Sequence, residues 1–119
     1  MHTLGLIFAM EEELSAFKKY IEIDKEYNIF DLTFIEGHYA NLKLVLAKCG
    51  VGKVNAARCS QILIDNMKVD ALINVGVAGG LTDELSIGSL VVGEKLVQHD
   101  FDITAFNHEK GYIPDIGVY

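Results

Sequence analysis

The stretch from residue 42 to residue 75 constrains the fold more than any other part of the sequence. Leucines at every second position from 42 to 46 predict a strand, and the glycine-rich residues 49–53 (CGVGK) follow it. Apolar residues then recur at helical spacing, which predicts a helix over 54–67, and the apolar run 71–75 predicts a strand buried on both faces. Strand, loop, helix and strand in this order form a crossover unit, which predicts an α/β fold with parallel strands.

The N-terminal segment predicts a strand that delivers acidic residues to its tip. The apolar run 4–10 ends at Glu11, Glu12 and Glu13, and a helix is predicted from residue 11 to about 22. Ligands of open α/β sheets bind just outside the carboxyl ends of the strands, so a carboxylate here can face a substrate. The alternative is that these glutamates only favour the start of a helix through its dipole. The segment taken alone leaves both interpretations open.

Two further patterns extend the sheet. Alternating apolar residues over 30–34 and 42–46 predict an antiparallel β-hairpin that turns near residues 39–41, and residues 89–97 predict a final strand. We therefore expect a mixed central sheet flanked by helices, with residues 1–119 forming a single partial domain. The tail from 98 to 119 has sparse periodicity and is long for a compact domain, so we expect a chain that is interrupted rather than finished.

Composition narrows the classes of partner. The net charge of −7 and the lack of a basic cluster argue against nucleic acid, because binding phosphates needs concentrated positive charge. The apolar runs fall short of the ~20 residues that span a bilayer, and the first residues lack the layout of a signal peptide. We therefore expect a cytoplasmic location and no membrane partner. Cys49 and Cys59 have no companions at metal-ligand spacing, which predicts buried, reduced thiols.

The two glycine-rich loops do not match known phosphate cradles. The first would need glycine at Ala47 and a hydroxyl at Val54 to be a Walker loop. The second, residues 76–80 (GVAGG), has Ala78 and Leu81 where the dinucleotide fingerprint has glycines. Such glycines either let a ligand approach the backbone or form turns that need positive φ, and both remain open for the second loop. Residues 99–102 (HDFD) predict no metal site, because neighbours on an extended segment face opposite sides.

Four motifs in this order resemble a known family. Residues 9–13 (AMEEE), 50–54 (GVGKV), 74–81 (NVGVAGGL) and 99–106 (HDFDITAF) look like the 5′-methylthioadenosine/S-adenosylhomocysteine nucleosidases of the nucleoside phosphorylase superfamily. Members of that family are considerably longer, so the chain resembles the N-terminal half of their fold. The resemblance implies hydrolysis of the N-glycosidic bond of these purine thionucleosides with release of adenine, in a homodimer without cofactor or metal.

The resemblance also implies roles for individual residues. Glu13 matches the glutamate that holds and activates the attacking water, which is a general-base role. The other matched positions are expected to contact substrate, namely Ala9, Met10, Val51, Val77, Ala78, Gly79, Phe106, His108 and Pro114. The first two line the pocket and Val51 lies against the ribose and the thioalkyl group. The next three flank sugar and purine, and the last three reach over the 5′-alkylthio group in the neighbouring subunit's site.

Several departures from the family pattern limit these expectations. Val77 stands where the family commonly has serine, and His108 where it commonly has an aromatic residue. The family's adenine-protonating aspartate, ribose-binding Met-Glu pair and purine-stacking phenylalanine lie in the C-terminal half, so we expect the isolated chain to be inactive. Alternatives are a related purine nucleoside phosphorylase, a futalosine-type nucleosidase, or a non-catalytic dimerisation or binding module. The three acidic residues at the strand tip repel phosphate and favour water.

Overall fold

The computed structural model describes residues 2–118 and has a mixed five-stranded sheet at its centre. Along the chain follow β1 (Thr3–Phe8), α1 (Glu11–Lys18), β2 (Glu22–Ile29), β3 (Leu32–Tyr39), β4 (Leu42–Lys48), α2 (Lys53–Asp65) and β5 (Ala71–Val75). The strand order is β2-β3-β4-β1-β5. β1 pairs in parallel with both β4 and β5, whereas β3 pairs antiparallel with both β2 and β4.

One hydrophobic cluster covers each face of the sheet, because neighbouring residues of a strand point to opposite sides. Leu6 packs with Leu14 of α1, whereas the next residue, Ile7, packs with Leu63 of α2. Phe34 and Ile35 of β3 divide between the two clusters in the same way. The two helices therefore lie on opposite faces of the sheet, as expected for an α/β fold, and each shields apolar strand residues from water.

The crossover unit and the hairpin predicted from the sequence are both confirmed. β4, α2 and β5 follow the predicted order, with the helix beginning at Lys53, and β3 and β4 form the antiparallel hairpin. The predicted end of the first helix near residue 22 is wrong, because α1 ends at Lys18 and residues 22–29 form β2. β2 is an edge strand whose side chains are mostly exposed, so its polar sequence lacks the apolar alternation of a half-buried strand.

Two strand predictions differ from the structure. β5 is apolar but not buried on both faces, since it lies at the sheet edge beside β1 and Ile73 is 45% exposed. The strand expected over 89–97 is not formed, and Leu90 and Val92 are 95% and 87% exposed. A strand needs a neighbour for its backbone hydrogen bonds, and none of the strands described within residues 2–118 pairs with this segment.

A polar cluster on the sheet joins β2, β3 and β4. Glu36 of β3 accepts hydrogen bonds from Lys43 Nζ at 2.9 Å and from the Tyr27 hydroxyl at 2.8 Å, and it lies 3.3 Å from Lys25 Nζ. Burial favours the neutral acid, but the hydrogen bonds from Lys43, Tyr27 and Lys25 outweigh it and lower the pKa of Glu36. Burial also raises the pKa of Tyr27. The cluster satisfies a largely enclosed carboxylate and links the side chains of three neighbouring strands.

The chain divides into two compact units, residues 1–79 and residues 80–119. The first holds the five-stranded sheet and both helices. The second contains a short 3₁₀ helix (Thr104–Phe106) and a small antiparallel pair, β6 (Tyr112–Ile113) and β7 (Gly117–Val118). No helix found within residues 2–118 combines the length and apolar character needed to cross a membrane.

Candidate active site

Three neighbouring parallel strands end at the same edge of the sheet. Phe8, the last residue of β1, pairs in register with Lys48, the last of β4, and with Val75, the last of β5. The segments that follow these strands are the acidic residues 9–13, the first glycine loop and the second glycine loop. Three of the four motifs picked out in the sequence therefore leave the sheet at one edge, where α/β proteins bind their ligands.

Glu13 is anchored at this edge through one of its two carboxylate oxygens. Its Oε2 accepts hydrogen bonds from the backbone N–H groups of Ala9 at 3.0 Å and Met10 at 3.1 Å. Its Oε1 faces Gly76 after β5, where an added Cβ would lie only 3.1 Å away. Since Glu13 occupies the first turn of α1, its negative charge also complements the helix dipole. The side chain is held in place and one oxygen remains available.

A cleft of about 300 Å³ lies beside Glu13. Its lining is otherwise apolar or aromatic, and consists of Phe8, Ala16, Phe17, Tyr20, Val75, Gly76 and Val77. The rings of Phe8 and Phe17 lie 5.6 Å apart between centroids. A single carboxylate in an apolar cleft of this size suits a small organic ligand, because low polarity strengthens the few polar interactions present.

The sequence pattern did not identify most of this lining. Phe17 follows Glu13 by four positions and shares its face of α1, so helical spacing was the signal that could have found it, whereas Tyr20 lies beyond the end of the helix. Gly76 carries no comparable signal, because its proximity to Glu13 depends on the pairing of β1 with β5.

The other two glutamates differ from Glu13. Glu11 binds Lys48 at the end of β4, with 2.8 Å between Oε2 and Nζ, and it accepts a hydrogen bond from the Ser15 hydroxyl. The hydrogen bond from Lys48 holds the pKa of Glu11 below its usual value, and that from Glu11 raises the pKa of Lys48. Glu12 is exposed. Lys48 is therefore engaged by a carboxylate, and Glu11 ties the start of α1 to β4.

The two glycine loops use their glycines differently. In the first loop, Gly50 and Gly52 have φ values of 86° and 104°, so both serve a tight turn. The Asn55 side chain donates a hydrogen bond to the carbonyl of Val51 at 2.8 Å, and Val51 itself is 71% exposed. In the second loop, Gly76 has no positive φ and instead lies against the Glu13 carboxylate. The close approach of the Glu13 carboxylate therefore explains why residue 76 is a glycine.

The remaining residues predicted to contact substrate divide between the first unit, residues 1–79, and the second unit, residues 80–119. Ala9 and Met10 provide the amides that bind Glu13, and Val77 is 85% exposed with Ala78 and Gly79 beside it. The other three belong to the second unit, and their role in a neighbouring subunit's site stays a prediction. There Phe106 is 76% exposed, the His108 ring stacks on Tyr112 at 4.4 Å, and Pro114 is exposed between β6 and β7.

Both cysteines are buried free thiols, as predicted. Cys49 is 6% exposed and Cys59 is fully enclosed among the core residues. Burial raises the pKa of Cys59 to about 11 and also raises that of Cys49. Neither thiol has the lowered pKa of an activated nucleophile.

An α/β sheet with an anchored carboxylate beside an apolar cleft is typical of α/β proteins that bind small ligands at the carboxyl ends of parallel strands. Comparison with known sequences makes the assignment specific. Residues 3–119 match the sequence profile described as "Phosphorylase superfamily". The chain belongs to this superfamily.

Named relatives and solved structures show which members of the superfamily the chain resembles. The 5′-methylthioadenosine/S-adenosylhomocysteine nucleosidases of Bacillus licheniformis and Bacillus subtilis are each 39% identical over 113 residues, which is 95% of this chain and 49% of theirs. The S-adenosylhomocysteine nucleosidase of Streptococcus pyogenes, solved with 5-methylthiotubericidin, has a TM-score of 0.88 and 37% identity, covering 99% of this chain. The futalosine hydrolase of Helicobacter pylori has a TM-score of 0.86 and 31% identity. The chain spans about half the length of these relatives.

Proposed function

We propose that this chain forms the water-activating half of a nucleosidase site, one that hydrolyses the N-glycosidic bond of 5′-methylthioadenosine or S-adenosylhomocysteine and releases adenine. The observation that carries the proposal is the Glu13 carboxylate, with Oε2 held by two backbone amides and Oε1 directed toward the end of β5. The 39% identity to named nucleosidases supports it.

The geometry suggests different roles for the two carboxylate oxygens of Glu13. Oε2 is satisfied by the amides of Ala9 and Met10, so Oε1 accepts a hydrogen bond from a water and then takes its proton. The water oxygen forms a bond to C1′ of the sugar as the bond from C1′ to the purine nitrogen breaks. The electron pair of that bond goes to adenine, which needs a proton from an acid. By the resemblance, that acid belongs to the second half of the fold.

Water suits this site better than phosphate. Three carboxylates occupy the tip of β1, and Lys48, at the end of the neighbouring β4, is bound by Glu11. A phosphate dianion would meet net negative charge here, and the loop after β4 has no Walker motif to bind it. We therefore favour hydrolysis over phosphorolysis. Cleavage that depends on added phosphate would overturn this preference.

The substrate is proposed to be a purine thionucleoside. In this proposal Ala9, Met10, Val51, Val77, Ala78 and Gly79 contact the nucleoside, and Phe106, His108 and Pro114 contact the 5′ substituent across a homodimer. Futalosine is the alternative substrate, because a futalosine hydrolase is among the structural relatives at 31% identity. Assaying both nucleosides with the same preparation distinguishes them, since only methylthioadenosine yields adenine directly.

The test is adenine release from methylthioadenosine by the purified 119-residue chain. We expect a rate at least about 10²–10⁴-fold below that of a complete nucleosidase, because a general base without its partner acid lacks that contribution. Turnover near that of a complete nucleosidase would contradict the expected inactivity. A rate that is low but lost in Glu13→Gln would still place the base at Glu13.

A binding or dimerisation module is the second candidate, and the free edge of the sheet favours it. Within the described residues β5 has β1 as its single neighbour, and Ile73 and Val77 expose 45% and 85% of their surface. Unpaired strand edges and exposed apolar residues promote association. Light scattering on the purified chain tests the dimerisation module, because a stable monomer at high concentration excludes self-association.

A further inference from the structure

The glycine at position 76 follows β5 directly and lies against the Glu13 carboxylate. A Cβ built on it would be 3.1 Å from Oε1, 3.7 Å from Cδ and 3.9 Å from Oε2 of Glu13. The first of these distances is shorter than the 3.4 Å at which ordinary van der Waals contact begins. The bare α-carbon therefore leaves the space that Oε1 occupies.

Backbone conformation does not explain this glycine. Gly50 and Gly52 have positive φ, which other residues rarely adopt, but Gly76 does not. Gly79, three positions along the same loop, also lacks a positive φ, and a Cβ there would meet no atom within 4 Å. Gly76 and Gly79 thus differ in what an added Cβ would meet, which is the Glu13 carboxylate at position 76 and no atom at position 79.

We propose that Gly76 is a positioning residue for Glu13, and that its missing side chain lets Oε1 face the cleft while Oε2 stays bound to the Ala9 and Met10 amides. The proposal rests on the proposed role of Glu13 as the base. It adds that Gly76, at the end of β5, determines which Glu13 oxygen has no hydrogen-bond donor among the described residues. The pairing of β1 with β5 therefore positions the oxygen that is proposed to act as the base.

An alanine at position 76 leaves Glu13 two ways to respond. The carboxylate can shift by a few tenths of an ångström, or it can rotate about its terminal bond, because that torsion is soft. Either movement carries Oε2 with it, since both oxygens belong to one rigid group. The bonds from the Ala9 and Met10 amides then lengthen or bend, and these bonds weaken steeply when their geometry deteriorates.

The experiment records the amide proton shifts of Ala9 and Met10 in the ¹⁵N-labelled 119-residue chain. Gly76→Ala is compared with Gly79→Ala, and Glu13→Gln defines the shifts without a charged acceptor. We expect Gly76→Ala to move both amide protons toward their Glu13→Gln positions and Gly79→Ala to leave them unchanged. Wild-type shifts in a folded Gly76→Ala chain overturn the proposal, and so do equal shifts in both glycine variants.

If Gly76→Ala folds too poorly for the amide shifts to be measured, urea unfolding provides a second comparison. With Glu13→Ala present the carboxylate is gone, so Gly76→Ala should lower the urea midpoint no more than Gly79→Ala does. With Glu13 intact, Gly76→Ala should lower it more, and equal effects in both backgrounds refute the proposal. Neither readout requires turnover. Failure of the nucleosidase function would therefore leave these results unaffected, because they report only the geometry around Glu13.

Discussion

Replacing Glu13 with alanine tests whether this glutamate has a different role from the two before it. The change removes the acceptor for two backbone N–H groups, of which the Ala9 amide is partly buried and the Met10 amide is exposed. Water can rehydrate the exposed amide, so the loss resembles that of a helix cap, with a smaller addition for the partly buried donor. We expect a destabilisation of about 1–2 kcal/mol.

Glu12→Ala is the matched control, since Glu12 is an exposed residue of the same helical turn. Its interaction with the helix dipole is a surface effect, which is generally worth about 0.3–1 kcal/mol. Urea unfolding followed by circular dichroism should show a midpoint about 0.5–1 M lower for Glu13→Ala, given a slope of about 2 kcal/mol/M, and a smaller change for Glu12→Ala. Equal midpoints for the two variants would refute the anchoring of Glu13. A more stable Glu13→Ala chain would mean that the carboxylate is strained.

Three further predictions concern the sheet and its core. The hydrogen bonds that lower the pKa of Glu36 stabilise the folded chain above the ordinary carboxyl value of 4.5, and this stability is lost as the pH falls through the lower folded value. Glu36→Gln should therefore weaken the chain at pH 7 and flatten its acid dependence, measured by urea midpoints between pH 7 and pH 3. Leu63→Ala, in a fully enclosed position, should cost about 2–5 kcal/mol by urea unfolding, whereas Ile64→Ala, 45% exposed, should cost less than half as much. Cys59 should react with a thiol reagent only as fast as the chain unfolds, because burial raises its pKa to about 11, and rapid labelling of the folded chain would contradict its enclosure.

The sequence predicted those parts of the site that depend on local pattern. An apolar run that stops at three glutamates identifies a strand tip, and the glycine loop before a helix identifies a crossover, because both signals lie within a few residues. The neighbours of Glu13 and Glu11 that are distant in sequence could not be found this way. Gly76 reaches it only because β5 pairs with β1, and Lys48 reaches Glu11 only because β4 pairs with the other side of β1.

The errors have a common physical origin in strand pairing. β2 was missed because an edge strand needs backbone partners more than apolar side chains, and its sequence is mostly polar. The strand expected over 89–97 has the apolar side chains but no partner among the described strands, so Leu90 and Leu96 remain 95% and 93% exposed. Side-chain pattern indicates that a segment suits a sheet, whereas hydrogen bonding to a neighbour decides whether it joins one.

The most direct test joins residues 1–119 to the half of the Bacillus licheniformis nucleosidase that this chain does not match. The measurement is the rate of adenine release from methylthioadenosine by the folded chimera and by its Glu13→Gln form. We expect the chimera to release adenine, and Glu13→Gln to lower the rate by about 10²–10⁴-fold, since the variant keeps the shape of the side chain but not its basicity. A folded chimera that releases no adenine, or that does so equally fast with Glu13→Gln, would contradict the assignment of residues 1–119 as the water-activating half.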